Sequence, residues 1–256
     1  MRNRSKIGKA LSAIVVVGLA TAYPAMADVV NGGFETNGSP EPVSWSVIGN
    51  TSVQNTSYYA PVQGVQQAVL SNGQASINGS ANGSTTNISG AGGLNDFFGI
   101  VFGSPVKSGS GIKQTFTANA GDILRFSYDF VTTDLSNADQ GFYTLMGPTG
   151  PTVLNNFANS LQAGLTTVVL ADGLIYDDFS PGKQTLYQNV QFTLATTGTY
   201  TLGFGVTNVN DQTGVSGLLL DAISVTPLPS AAWGGMAILG GLGLTQLARR
   251  RKTVLA

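Results

Sequence analysis

The sequence predicts an all-β protein, a jelly-roll-like β-sandwich, and three observations support this fold class. Apolar and polar side chains alternate with a period of two in several short segments; in residues 123–130 every second side chain is large and apolar. Turn signals rich in Gly, Pro, Asn and Asp separate these segments. No long stretch shows the apolar periodicity of a helix, and Gly accounts for 34 of 256 residues, about twice its usual share.

The predicted strands follow one another at short spacing along the chain. They lie at residues 29–34, 44–47, 67–70, 99–102, 112–117, 123–130, 141–146, 166–170, 190–194, 200–206 and 218–226. Short strands with turns at this spacing indicate two packed antiparallel sheets. No repeat of 20 to 50 residues is visible, which argues against a solenoid or a propeller.

Residues 71–93 differ in composition from the rest of the predicted domain. Ser, Asn, Gly, Thr and Ala make up almost all of this segment, and Ile77 and Ile88 are its only large apolar residues. Such a segment buries too little apolar surface to order itself. We therefore predict a mobile loop inside a single sandwich domain that spans residues 28–226.

The chain contains neither histidine nor cysteine. This excludes Ser-His-Asp and Cys-His catalysis, the common zinc sites, disulfides and iron–sulfur clusters. Residues 28–226 carry 13 acidic and four basic side chains, a net charge of −9. Because this charge repels phosphate backbones, the composition predicts no nucleic-acid partner.

The N-terminal residues have the three parts of a secretory signal peptide. Basic residues before position 10 precede an apolar run at 11–22, and Ala25 and Ala27 supply the small residues that signal peptidase reads. We predict a signal peptide at residues 1–27, cleaved before Asp28 after passage through the Sec translocon. The apolar run is shorter than the roughly 20 residues of a membrane span.

The C-terminal residues combine a proline motif, an apolar segment and a basic cluster. Pro227, Leu228 and Pro229 precede an uncharged segment at 231–248, and 249–252 form the basic cluster, with Arg249, Arg250 and Arg251 followed by a lysine. Eighteen helical residues span about 27 Å, close to the thickness of the hydrocarbon core. The pattern predicts a transmembrane helix whose basic end stays in the cytoplasm and leaves residues 28–226 outside.

The last 30 residues resemble a PEP-CTERM sorting signal of the Val-Pro-Leu-Pro-Ala type, with Thr226 and Ser230 standing where that motif has Val and Ala. The resemblance implies that the membrane contact at 227–256 is transient and that an exosortase cuts near the proline motif. It also implies export to the envelope, outer surface or extracellular matrix of a Gram-negative-type bacterium, in association with exopolysaccharide or biofilm. A permanent single-pass anchor is the alternative.

The two ends of the predicted domain resemble those of galactose-binding-like jelly rolls and carbohydrate-binding modules. The resemblance lies in the opening Val30-Asn-Gly-Gly-Phe-Glu35 and in the aspartate of the closing segment 218–225. It implies a structural calcium ion held by Glu35 and Asp221; no other cofactor is expected. If Leu219 faces the core together with the apolar residues at 223 and 225, alternation places Asp221 on the same buried face, where a carboxylate needs a partner. The alternatives are that Leu218 and Leu220 face inward instead, or that Asp221 caps a turn or pairs with Arg125.

Glycan binding requires an exposed aromatic ring beside hydrogen-bonding groups. Tyr58, Tyr59 and Tyr176 are the candidate platform residues, and the adjacent pair points to opposite faces of a strand, so one of the two should be exposed. Trp45 is expected in the core.

Hydrolysis of a glycan requires two carboxylates that flank the scissile bond. The available pairs are Asp134 with Asp139 and Asp177 with Asp178, and both fall in segments typical of exposed polar turns, without a supporting motif. The sequence therefore predicts an exported, non-enzymatic surface protein with no catalytic residue. A carbohydrate-binding lectin or adhesin is the second hypothesis, and a carboxylate-based hydrolase is the third.

Overall fold

A computed structural model describes residues 29–36, 42–55, 59–73, 86–87, 92–103, 106–169, 181–210 and 214–227. The predicted signal peptide and its cleavage site lie outside these ranges. Of the predicted sorting signal, only Pro227 lies within them. No helix in the described ranges has the length and apolarity that crossing a bilayer requires.

The described ranges contain thirteen strands and one helix. In chain order they are β1 Ser46–Ile48, β2 Asn50–Gln54, β3 Gln67–Ser71, β4 Thr86–Asn87, α1 Leu94–Phe98, β5 Val106–Ala118, β6 Ile123–Thr132, β7 Gln140–Met146, β8 Val153–Asn159, β9 Thr166–Val169, β10 Pro181–Gln184, β11 Gln188–Thr193, β12 Gly198–Val209 and β13 Ser216–Thr226.

The strands form two antiparallel sheets. The first sheet has the order β1-β5-β12-β7-β8, with β4 also paired to β5. The second has the order β2-β3-β13-β6-β10-β9, and β11 pairs with the part of β6 that β10 leaves uncovered. This arrangement confirms the predicted all-β sandwich, because the apolar face of each sheet is buried against the other.

The main core lies between the sheets. Its large, fully buried side chains are Phe34, Leu70, Ile112, Leu124, Phe126, Phe130 and Phe204. The ring of Trp45 lies 5.7 Å from that of Phe34 and 6.3 Å from that of Phe204, centroid to centroid. With 4% of its surface exposed, Trp45 is a core residue, as predicted.

A second apolar cluster covers the outer side of the first sheet. Leu94 and Phe98 of α1 pack there with Phe102 and Phe142. A Cβ atom at Gly111 would lie 2.3 Å from the Phe98 ring, so this glycine lets the helix approach the sheet closely. The sequence did not reveal α1, because five residues are too few to show helical periodicity.

Two predicted strands are wrong. Residues 29–34 form turns rather than a strand, with Asn31 and Phe34 at φ of 53° and 57°, and the Phe34 amide donates to the Asn31 carbonyl at 3.2 Å. Left-handed backbone at two of six positions is incompatible with a strand. Residues 99–102 are irregular as well, because Gly99 ends α1 in the left-handed conformation.

The loop predicted at 71–93 is interrupted by strand structure. Ser71 is the last residue of β3, and Thr86 and Asn87 of β4 pair with Gly109 and Ser108. Short polar segments can add to a sheet edge, because the backbone supplies the hydrogen bonds. Residues 74–85 and 88–91 lie outside the described ranges, so the prediction stays untested there.

Candidate functional site

Three neighbouring strands of the second sheet align polar residues on its outer face. In β6, Leu124 and Phe126 point into the core, so Arg125 and Ser127 point to the opposite face. The register pairs β6 with β13 on one side and with β11 on the other. It forms one row of Ser224, Arg125 and Gln191, and a second row of Asp221, Ser127 and Asn189.

Apart from Asp221, the residues of these rows form the floor of a groove of about 520 Å³. Val62 and Gln63 contribute from the loop before β3, and Ala222 and Ser224 contribute from β13. None of the residues that line the groove is acidic, and Arg125 is the only charged one. The groove therefore combines uncharged hydrogen-bonding side chains with apolar ones such as Val62 and Val190, around one exposed cation.

Two hydrogen bonds order the floor of the groove. The Nε of Arg125 donates to the Oε1 of Gln191 at 3.2 Å, and the hydroxyl of Ser127 donates to the Oδ1 of Asn189 at 2.7 Å. Both bonds use an amide oxygen as the acceptor. The NH₂ groups of Gln191 and Asn189, and the terminal nitrogens of Arg125, are consequently the groups that can donate to a ligand.

Two carboxylates hold the loop that forms one wall of the groove. Oδ2 of Asp221 accepts the Gln63 amide at 2.7 Å, and Oε1 of Glu35 accepts the amides of Val65 and Gln66 at 2.8 and 2.9 Å. We call residues 62–66 the wall loop. Glu35 and Asp221, the predicted calcium ligands, are thus brought together, since both bind the backbone of the wall loop.

A bulge in β13 lies directly after Asp221. The register with β6 shifts between Asp221 and Ser224, and Ala222 lies in the left-handed region with φ of 53°. Leu218 and Leu220 face the core, in agreement with one of the alternatives, and the bulge returns residues 223 and 225 to the core side. The expectation that Asp221 shares the core face is therefore wrong: it lies on the outer face, fully buried beneath the wall loop.

The surroundings of Asp221 raise its pKa above the ordinary value of an aspartate. Burial is the largest effect that raises the pKa of Asp221, and the charge of Glu35 adds to it, while the amides of the wall loop and of Ala222 lower it. Oδ1 accepts the Ala222 amide at 2.6 Å, so both oxygens already accept hydrogen bonds. Arg125 is not among these partners.

The described residues do not fit a calcium ion shared by Glu35 and Asp221. Calcium takes six to eight oxygen ligands. In the described part of the chain, no group of three acidic side chains lies close enough to hold a metal, and backbone N–H groups occupy three of the four carboxylate oxygens. Calcium stays a prediction that rests on the resemblance of the chain ends.

Tyr59 is not an exposed platform. Only 5% of its surface is exposed, because it packs with Val69, Val131 and Leu219 in a small cluster on the outer side of the second sheet. Burial, followed by the charge of Asp129, raises the pKa of Tyr59. Tyr58 and Tyr176 lie outside the described residues.

Asp134 and Asp139 occupy a buried turn rather than an exposed one, with 4% and 0% of their surface exposed. Asp139 accepts hydrogen bonds from the Asn72 amide at 2.7 Å, the Ser216 hydroxyl at 2.8 Å and the Val209 backbone at 3.0 Å. Burial raises its pKa to about 6. These bonds tie together the ends of β3, β12 and β13, so the pair has a structural role. Asp177 and Asp178 lie outside the described residues.

One part of the groove can be recognised in the sequence, and another part cannot. Arg125 and Ser127 were recognisable as the polar positions of an alternating strand. Their partners in β11 and β13 were not, because residues 191 and 224 become neighbours of Arg125 only through pairing across the sheet. The pairing of strands that are distant in sequence is not encoded in local alternation.

Comparison with known proteins gives similarity at the level of solved structures. No family model and no curated protein matches the chain. The chain is similar to TmCBM61 in complex with beta-1,4-galactotriose, with 12% identity and a TM-score of 0.41 over 80% of this chain and all of that one. It is similar to the K2 cleaved adhesin domain of Lys-gingipain, with 12% identity and a TM-score of 0.38 over 79% and 97% of the two chains. A CBM4 structure matches with 10% identity and a TM-score of 0.31 over 72% and 94%.

Proposed function

We propose that this protein is a non-catalytic polysaccharide-binding module, and that the groove over β6, β11 and β13 is its binding site. The observation that supports the proposal most directly is the lining of the groove. Amide and guanidinium groups on Asn189, Gln191 and Arg125 converge on one space of about 520 Å³, which is large enough for a short stretch of sugar residues.

The groove is preorganised for binding. Its floor is regular sheet, in which Arg125 and Ser127 each bond the residue opposite them in β11. Its wall loop is fixed by Glu35 and Asp221. Side chains that are already ordered lose less conformational entropy when a ligand binds, which favours affinity.

Carboxylate-based hydrolysis is the less favoured function. Among the described residues, the carboxylates of Asp221 and Glu35 contact the wall loop of the groove, and each accepts backbone hydrogen bonds. Asp221 is fully buried and does not line the groove. A general acid must reach the glycosidic oxygen, and neither group is placed in the groove to do so.

The proposal is tested by glycan-array binding of the full chain and of an Asn189→Ala/Gln191→Ala double variant. We expect the double variant to bind its glycan at least tenfold more weakly. A Thr115→Ala/Thr201→Ala variant is the matched control, because this hydrogen-bonded pair lies on the outer face of the other sheet. Equal binding by all three proteins would refute the groove as the site.

For localisation, we propose that the module is exported by its signal peptide and sorted by an exosortase. The basis is the sequence at 1–27 and 227–256. The last strand ends at Thr226, directly before the proline motif, which fits a tail that is separate from the sandwich. Envelope and extracellular matrix are the proposed destinations, and exopolysaccharide is the proposed partner.

The mass of the protein recovered from culture tests this sorting. We expect termini near Asp28 and near Pro227. A protein that has lost residues 1–27 but keeps the tail in the membrane would indicate the permanent anchor instead. Recovery of the complete chain from the cytosol would refute export.

A further inference from the structure

We infer that the groove selects an acidic polysaccharide, and that the guanidinium of Arg125 binds a carboxylate of one of its sugar residues. This inference rests on the proposed function and names the class of ligand. Three features of the groove support it: the excess of donors, the unpaired charge of Arg125 and the absence of an aromatic platform among the residues that line it.

The first feature is the hydrogen-bonding balance of the floor. Gln191 and Asn189 each use their amide oxygen as an acceptor within the floor, from Arg125 and Ser127. The hydroxyl of Ser127 uses its only hydrogen in the same way. On these three side chains and on Arg125, the hydrogen-bonding groups that remain are mostly N–H. An ionised carboxylate, which only accepts, matches them better than a hydroxyl, which must also donate.

The second feature is the charge of Arg125. It is exposed, and no described carboxylate lies within ion-pair distance of its guanidinium. Asp221 is the nearest acid by register, but it is buried under the wall loop and binds Gln63 and Ala222. An unpaired planar guanidinium in a concave site is suited to bind a carboxylate through two parallel hydrogen bonds.

The third feature concerns aromatic side chains. The groove is lined by one aromatic residue, Phe126, which is 1% exposed and belongs to the core. Within the described residues the groove therefore offers no ring on which a neutral sugar could stack. Among the described residues, hydrogen bonds and charge are therefore the specific contacts that the groove can make with a sugar.

The net charge of the domain opposes an anionic ligand only at long range. The sandwich region carries −9, but charges farther than about 8 to 10 Å are screened at physiological salt. The contacts of an anionic ligand with the guanidinium and amide groups of the groove are shorter than this screening distance. We therefore expect specific binding at 0.15 M salt, carried by contact and not by the overall field.

The test compares polygalacturonate with the same polymer after chemical reduction of its carboxyl groups, using titration calorimetry on the full chain in 0.15 M salt. We expect the acidic polymer to bind at least tenfold more tightly. Arg125→Gln should reduce this preference to less than threefold and leave the thermal unfolding temperature unchanged. Lys107→Gln is the matched control, since it removes one exposed positive charge outside the groove.

The outcomes separate this inference from the proposed function. Equal binding of both polymers that weakens equally in Arg125→Gln would overturn the acidic preference and leave the groove as a glycan site. Binding of dextran sulfate but not of polygalacturonate or alginate would overturn the carboxylate as the recognised group. Loss of the preference in Lys107→Gln would assign it to net charge and also overturn the role of Arg125.

Discussion

Gly32 shows how one residue couples the start of the domain to its last strand. A Cβ atom at Gly32 would lie 1.9 Å from the Ile223 carbonyl oxygen, and the Ile223 amide donates to the Gly32 carbonyl at 2.9 Å. The neighbouring Gly33 is different, because its Cβ would meet only the side chain of Gln63 at 3.5 Å. The two adjacent glycines therefore differ in how much space surrounds them.

We predict that Gly32→Ala lowers the free energy of unfolding by about 3 kcal/mol or more, since backbone must move to admit the methyl group. Gly33→Ala should change it by less than about 1 kcal/mol, because the contact there is ordinary. Urea unfolding of both variants measures the difference. Equal changes in the free energy of unfolding for the two variants would show that the backbone can move apart where Gly32 contacts Ile223.

At the scale of single residues, the sequence predicts burial well for apolar side chains and poorly for polar ones. Trp45 lies in the core as predicted, because large side chains with mostly apolar surface are usually buried. Asp139 is also buried, although the sequence places it in an exposed turn. Its burial depends on partners such as Asn72, which is distant in sequence and which local composition does not reveal.

Among the elements, the wall loop and the bulge of β13 act together. Asp221 lies on the outer face by alternation with Leu220, directly before the bulge, and its carboxylate accepts a hydrogen bond from the Gln63 amide. Gly64 permits the loop path, because it has φ of +67° and its Cβ would lie 2.2 Å from the Glu35 carboxylate. The loop is therefore shaped by groups at both ends of the domain.

We predict that Asp221→Ala frees the wall loop and lowers the free energy of unfolding by about 2 kcal/mol, because two partly buried amides lose their acceptor. Hydrogen exchange at Gln63 should become faster, and glycan binding in the groove should weaken. Glu35→Gln, which keeps an oxygen acceptor on an exposed side chain, should have a smaller effect. Unchanged exchange at Gln63 in Asp221→Ala would contradict this role.

Calcium gives a second prediction at this scale. Since backbone N–H groups already occupy Asp221 and one oxygen of Glu35, we expect EDTA treatment to leave the thermal unfolding temperature unchanged. The resemblance of the chain ends implies the opposite result. A rise in unfolding temperature on adding calcium, lost in Asp221→Ala, would establish the metal site and show that the wall loop rearranges around it.

For the whole molecule, the buried acids predict how stability depends on pH. Burial raises the pKa of both Asp129 and Asp139 to about 6 from an ordinary value of 3.8, although each accepts hydrogen bonds that oppose the shift. The folded protein therefore holds more protons than the unfolded chain between pH 4 and 6. Because stability falls with pH wherever the folded state binds more protons, both groups stabilise the fold at low pH and lose this contribution as pH rises through 6.

We expect the urea midpoint to be higher at pH 5 than at pH 7.5 and to change little above pH 7. The free-energy difference should be on the order of a few kcal/mol, at about 1.4 kcal/mol for each unit of pKa shift. Asp139→Asn should reduce the pH dependence while lowering stability at pH 5, because its amide cannot accept all three hydrogen bonds. A midpoint that rises between pH 5 and 7.5 would contradict the direction.

The sequence by itself determined the β class, the position of most strands and the acidic charge of the domain. Alternation with a period of two suffices for this, because it fixes which side chains share a face of a strand. The sequence also supports the sorting predictions at the two ends of the chain, which depend on composition and not on folding.

Only the tertiary structure decided which strands are neighbours, which outer face is covered by loops and where the alternation shifts. Arg125 meets Gln191 and Ser224 through long-range strand pairing, and the bulge at Ala222 lets Leu220 and Ile223 both face the core while Asp221 lies on the outer face. The strand pairing and the position of the bulge both depend on the free energy of packing the whole chain. This free energy cannot be inferred from a local segment of sequence.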